Sequence, residues 1–171
     1  MARSDLDTHF ARIDALVKEI GQFVPNNTAN AVQFRADLAG LLVVTISATY
    51  ESCVKDTLFE FANRHHTSFG EYTLRRYKRL NSQIKLNDLN NYCRIFDDAV
   101  YKKYRTLLTK RSRKISERIG KDIQKSYEQI LNWRHAFAHQ GARNTTIEEA
   151  VCTHKLAKRV LYTFDEAFNG K

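Results

Sequence analysis

Apolar residues recur along most of this chain at intervals of three and four, the spacing of one face of an α-helix. Leu6, Phe10, Ile13, Val17 and Ile20 form the first such stripe, with Ser4 as its expected N-cap. Phe23-Val24-Pro25-Asn26-Asn27 should end it, since proline cannot continue a helix and asparagine favours turns. A long second helix is expected over residues 29–66, carrying Phe34, Leu38, Leu41, Ile46, Val54, Leu58 and Phe61. Its middle, Leu41-Leu42-Val43-Val44-Thr45-Ile46, is apolar on nearly every side, which predicts the most buried element of the fold. Residues 67–87 read as less regular. Leu89, Tyr92, Phe96, Val100, Tyr104 and Leu107 predict a further helix. Ile115, Ile119, Ile123, Ile130, Trp133 and Phe137 mark the next, ended by Gly141 in the left-handed position after the last turn. Thr146 starts the last helix, with Glu149 completing a capping box and Ile147, Val151, His154, Leu161, Phe164 and Phe168 on the inner face. The expected fold is all-α, a compact bundle of about five or six helices with a long buried second helix, in one domain spanning residues 1–171.

Composition agrees with that expectation. The 171 residues include one proline and six glycines, too few breakers for many short strands. Cys53, Cys93 and Cys152 are odd in number and lie in helix-like stretches, which reads as reduced thiols in a reducing compartment. Arg3, Asp5 and Asp7 stand where a signal peptide needs an apolar segment, and the apolar run 38–48 is short for a bilayer span. A cytoplasmic protein with no membrane partner is the resulting expectation.

Charge points towards polyanions. The formal net charge is +9, and residues 102–121 hold nine Lys or Arg against one acid, Glu117. Lys110, Arg111, Arg113 and Lys114 are the candidate RNA-contacting residues, with Tyr101, Tyr104 and Tyr127 available to stack on bases. The bland alternative is a solvated helix face.

Candidate chemistry gathers in Ile130-Leu131-Asn132-Trp133-Arg134-His135-Ala136-Phe137-Ala138-His139-Gln140-Gly141. Arg134 and His139 are five apart, so they point about 140° apart around a helix. Taken alone they could be two polar residues at a helix C-terminus, where the dipole favours positive charge. His135 and His139, four apart, share a face and have the spacing of helical metal ligands, with Cys152 and His154 on the next helix as possible completions. No Glu stands between those histidines, and His154 falls on an apolar stripe. No metal and no cofactor is expected.

The same run resembles the signature of HEPN domains, helical proteins with an Arg, four to six intervening residues and a His near a helix end before a Gly. Ala48-Thr49-Tyr50-Glu51 within the second helix, and the helix start Thr146-Ile147-Glu148-Glu149, resemble the RiboL-PSP branch. The resemblance follows most of the chain in element order and is specific at 130–141 and, more loosely, 41–62. It implies a metal-independent endoribonuclease of a toxin or anti-phage system, working as a homodimer with the two motifs facing each other. An antitoxin or another defence protein is the further partner it implies. His139 would move protons at the ribose 2′-hydroxyl or the leaving 5′-oxygen, and Arg134 would hold the scissile phosphate. His135 stands where relatives often carry Asn or Asp. Glu51 could orient a catalytic group, or simply pair with Lys55 one turn on. The rival reading is a non-catalytic HEPN module for dimerisation, RNA binding or partner docking.

Overall fold

The computed structural model describes residues 2–24, 29–78, 80 and 83–170, with side chains from residue 5 and, after the first break, from residue 31. Among the described residues the chain forms seven α-helices and no strand: α1 (Ala2–Phe23), α2 (Ala29–His65), α3 (Thr67–Arg76), α4 (Leu86–Phe96), α5 (Asp98–Ile119), α6 (Ile123–Gln140) and α7 (Ile147–Asn169). Helix α1 buries Leu6, Phe10, Ile13 and Ile20, as its stripe requires. It begins before Ser4, which therefore lies inside the helix rather than capping it. The expected breaker Pro25-Asn26-Asn27 lies outside the described residues, as does Arg79 in the less regular 67–87 segment.

Helix α2 is the central element, packed against α1, α3, α6 and α7. Its Ala39, Leu42, Val43, Ile46, Tyr50, Val54 and Leu58 are fully buried. The stretch Ala31–His65 is long and apolar enough to cross a membrane by length and composition, more than its uninterrupted apolar run suggests. Packing covers only one side of this helix: a third of its apolar window is buried, and Val32, Phe34 and Leu41 are more than half exposed, so the middle of α2 is not buried on every side as its sequence predicts. Where α1, α2, α6 and α7 meet, Tyr50 stacks on Tyr127 at 5.3 Å between ring centres and on His154 at 5.7 Å, with Phe10 edge-on to both Tyr50 and His154. Inside this aromatic cluster the Tyr50 hydroxyl hydrogen-bonds His154 Nδ1 at 2.9 Å, and the Tyr127 hydroxyl donates to the Ile84 carbonyl at 2.7 Å.

Three elements depart from the sequence reading. Helix α3 occupies part of the segment expected to be irregular, started by the His66 side chain, which accepts from the Ser68 amide at 3.2 Å. The single helix expected over 89–107 is two helices. Asp97 breaks it in extended backbone (φ −169°) and its carboxylate caps α5 by accepting from the Ala99 amide at 2.7 Å. Ile115 and Ile119 belong to α5 rather than to the motif helix, because Gly120 turns left-handed (φ 67°) and Asp122 then caps α6. Gly141 ends α6 in the left-handed region, as expected (φ 62°). Thr146 caps α7, its hydroxyl accepting from the Glu149 amide at 3.1 Å. The Glu149 carboxylate accepts from the Thr145 hydroxyl instead of closing the reciprocal half of a capping box.

Candidate functional site

Helix α6 delivers Arg134, His135 and His139 to its C-terminal end, and two contacts fix how it lies. A Cβ added to Gly40 would overlap the edge of the Phe137 ring, so α2 and α6 touch backbone to ring at that level. Ten residues further along α2, Tyr50 stacks on Tyr127, ten residues back along α6. The two helices therefore run antiparallel, and Arg134 stands level with Val43 and Val44. Arg134 follows Tyr127 by seven residues, about 20° around the helix, which puts it on the side of α6 that faces α2.

The loop after the motif is pinned. Arg143 pairs with Asp37 at 2.5 Å, and Arg35 pairs with Glu148 at 2.6 Å while donating to the Val24 carbonyl at 2.8 Å. The Glu148 backbone amide and Arg35 hold the Glu148 carboxyl below the usual carboxylate range. Amid these committed charges, Arg134, half-buried, makes no hydrogen bond or ion pair with the described residues. His135 and His139 are exposed and touch only through their rings, 4.5 Å apart between centres. Among the described residues, the end of α6 thus carries a half-buried guanidinium and two exposed imidazoles that no hydrogen bond or ion pair engages.

Glu51 is not brought to this group within one chain. It is half-buried near Tyr92, where its charge, after burial, Asp88 and Tyr77, is the smallest of the causes that push the Tyr92 hydroxyl up to about 12. By the α2–α6 register it lies about 12 Å from the level of Arg134 along the helix axis. No ion pair with Lys55 forms among the described residues. The four-residue metal combination does not assemble either: His154 is buried against Tyr50, Cys152 is exposed, and no group of three or more His, Cys, Asp or Glu side chains among the described residues could hold a metal.

The basic helix is sorted by its own packing. Lys110, Arg113 and Lys114 are exposed, with Arg113 paired to Glu117 at 2.8 Å. Arg111 turns inward and donates to Thr163 at 2.8 Å and Glu166 at 2.7 Å, joining α5 to α7. Tyr104 and Tyr127 are fully buried, so neither can stack on a base. Tyr101 lies under the Arg94 guanidinium, 4.3 Å from the ring centre.

Sequence reading missed Gly40, which permits the α2–α6 approach beneath the motif. A glycine inside an otherwise apolar helix was the available signal. It missed Asp97 and Gly120 too, whose residue types were the signal for helix ends.

No curated protein and no solved structure matches this chain. The family model RiboL-PSP-HEPN matches residues 8–170. That span takes in α1 from Thr8 onward, the whole of α2 to α7 and the whole Arg134–His139 motif, and on it the chain belongs to the RiboL-PSP branch of the HEPN domain family.

Proposed function

We propose that this protein is a metal-independent endoribonuclease in which Arg134 and His139 act on RNA at the interface of a homodimer. One observation carries the reading: in a HEPN-family chain, the motif's Arg134 and His139 make no side-chain hydrogen bond or ion pair among the described residues, while Arg35 and Arg143 nearby are both neutralised. Unpartnered cationic and titratable groups at a helix end are what a phosphate-cleaving site requires.

The chemistry uses the RNA's own nucleophile. The 2′-oxygen attacks the adjacent phosphorus, the bond from phosphorus to the 5′-oxygen breaks, and the products are a 2′,3′-cyclic phosphate and a 5′-hydroxyl. One proton leaves the 2′-hydroxyl and another reaches the 5′-oxygen, both transfers suited to imidazole. Arg134 binds the phosphate through charge-assisted hydrogen bonds and stabilises the extra negative charge of the five-coordinate transition state. His135 positions the His139 ring by contact with it. A pair of facing motifs supplies two His139 side chains, one for each proton.

The occupant that completes the site is a second copy of the chain. Phe34, Leu38, Leu41, Thr45, Ala48 and Ser52 follow a 4-3-4-3-4 spacing along α2, and Phe34 and Leu41 are 53% and 54% exposed. This stripe runs past the level of Arg134, and a twofold interface pairs such a surface with itself. The setting in a toxin or anti-phage system, with an antitoxin as partner, comes from the family resemblance.

The test incubates the protein with transfer RNA and total RNA in excess EDTA, beside Arg134→Ala and His139→Ala. Cleavage by the wild type alone, leaving 2′,3′-cyclic ends, is expected. Absence of cleavage on every RNA would leave the non-catalytic module; equal cleavage by the variants would remove the site assignment.

A further inference from the structure

The exposed side of α5 carries chemistry that the proposed active site does not use. Arg105, Thr106, Thr109, Lys110, Arg113 and Lys114 share one open face of this helix, with Glu117 the one acid among them. Arg105, Lys110 and Lys114 have no acidic partner among the described residues. Glu117 is taken up by Arg113, in an exposed pair of the kind that contributes little.

This face is held rigidly. Arg111, on the opposite side of the same helix, ties α5 to Thr163 and Glu166 of α7, and Tyr104 packs edge-on against Phe164. Residues four apart on such a helix stand about 6 Å apart along its axis, a repeat that a sugar–phosphate backbone can follow. The threonine hydroxyls add donors suited to phosphate oxygens. With Tyr104 buried and Tyr101 covered by Arg94, the face offers cations and hydroxyls but no open aromatic ring. Its chemistry therefore fits phosphate and sugar, without base recognition.

The face lies away from the motif. Thr163, under Arg111, is sixteen residues beyond Ile147 at the start of α7, about 24 Å along the helix from the motif end. The α7 row that carries Thr163 continues back towards the motif end as Arg159 and Lys155, both exposed. We infer that the α5 face is a sequence-independent docking surface for the RNA backbone, and that Arg159 and Lys155 extend it towards the α6 motif. Binding to this face stands without the ribonuclease reading; its use in feeding the motif rests on that reading.

The experiment keeps the two apart. Binding of a 30-nucleotide RNA is measured by fluorescence anisotropy on His139→Ala protein across a salt series. The triple reversal Arg105→Glu, Lys110→Glu, Lys114→Glu is compared with a control of equal charge change, Arg12→Glu, Lys18→Glu, Lys78→Glu, taken from exposed positions elsewhere. The α5 variant is expected to bind about tenfold or more weaker at 100 mM salt. Its slope of log affinity against log salt should be shallower by about two, the loss of three phosphate contacts. The control should stay within about twofold of the parent on the same scale. Equal weakening by both triples would reduce the effect to net charge and overturn the proposal, as would unchanged binding by the α5 triple or no RNA binding by the parent. In the otherwise wild-type enzyme, the α5 triple should raise KM for the long RNA and leave cleavage of a four-nucleotide substrate unchanged. Equal loss on both substrates would overturn the role in feeding the motif.

Discussion

Three arginines stand around the end of α6, and their partners separate structure from chemistry. Arg35 and Arg143 neutralise Glu148 and Asp37 and hold the loop, whereas Arg134 has no charged partner among the described residues. Removing an unpaired side chain disturbs function more than fold. His139→Ala should therefore lower RNA cleavage about 10²- to 10⁴-fold, the range for a lost general acid or base. Both Arg134→Ala and His139→Ala should shift unfolding free energy by less than about 0.5 kcal/mol in urea titrations. A variant that lost activity in proportion to lost stability would argue for a structural role. His135→Ala, which removes only a ring contact, should give a smaller loss than His139→Ala. The motif was legible in the sequence because its residue types, helix end and terminal glycine are local. Partner choice was not: Arg111 and Arg113 look alike in a basic run, yet one is half-buried against α7 and the other faces water. A finer reading of the α5 stripe holds the clue. Arg111 falls three after buried Leu108 and four before buried Ile115, and Tyr104 precedes Leu108 by four, so all belong to the inner side.

At the scale of elements, the spacing of apolar positions revealed the helices better than their ends. Phe96 and Val100 are four apart across the Asp97 break, and Ile119 and Ile123 are four apart across Gly120 and Asp122, so periodicity alone carries straight through both. The capping chemistry of single residues decides these boundaries, and α3 owes its start to a histidine side chain, an unusual cap. Close approach between elements was harder still to read. Gly40 lies under Phe137, whereas a Cβ at Gly21 in α1 would meet nothing within 4 Å. The pair makes a matched test of what each glycine does. Gly21→Ala should stabilise the fold by about 0.5–1 kcal/mol through helix propensity. Gly40→Ala should destabilise it by about 1–3 kcal/mol, because the added carbon must push the ring and α6 away from α2. It should also reduce cleavage beyond what lost stability explains, since Arg134 is three residues before Phe137. Differential thermal melts of the two variants, with activity measured well below both midpoints, check the pair. Stabilisation by both substitutions would mean that the α2–α6 contact is looser than described.

For the whole molecule, two surfaces of α2 have opposite fates, one packed inward and one exposed as the apolar stripe. Under the proposed dimer, Leu41→Glu on that stripe should leave monomers in sedimentation and abolish cleavage together; a wild type that sediments as a monomer, or a monomeric variant with full activity, would separate the site from dimerisation. The inward side meets α6 and α7 at His154, and this contact sets how the fold responds to acid. Burial first, and then the nearby Lys158 and Lys155, push the His154 pKa down to about 3. In the unfolded chain it titrates near 6.5. Between those values the unfolded chain binds a proton that the folded chain refuses, so stability rises with pH across that window and is lost as pH falls below about 6.5. The slope is about 1.4 kcal/mol per pH unit, or about 2 kcal/mol between neutrality and pH 5. Asp165 acts in the other sense. Burial raises its carboxyl, so the folded chain takes up that proton more readily and gains from acidification within the carboxylate range. That contribution is common to the wild type and a His154 variant, so comparing the two removes it. His154→Gln keeps an acceptor for the Tyr50 hydroxyl and removes the titration, so its urea midpoint should fall less than the wild type's between pH 7 and 5. Equal falls would mean that His154 protonates without unfolding the cluster, and that the Tyr50 stack tolerates a charge at its centre.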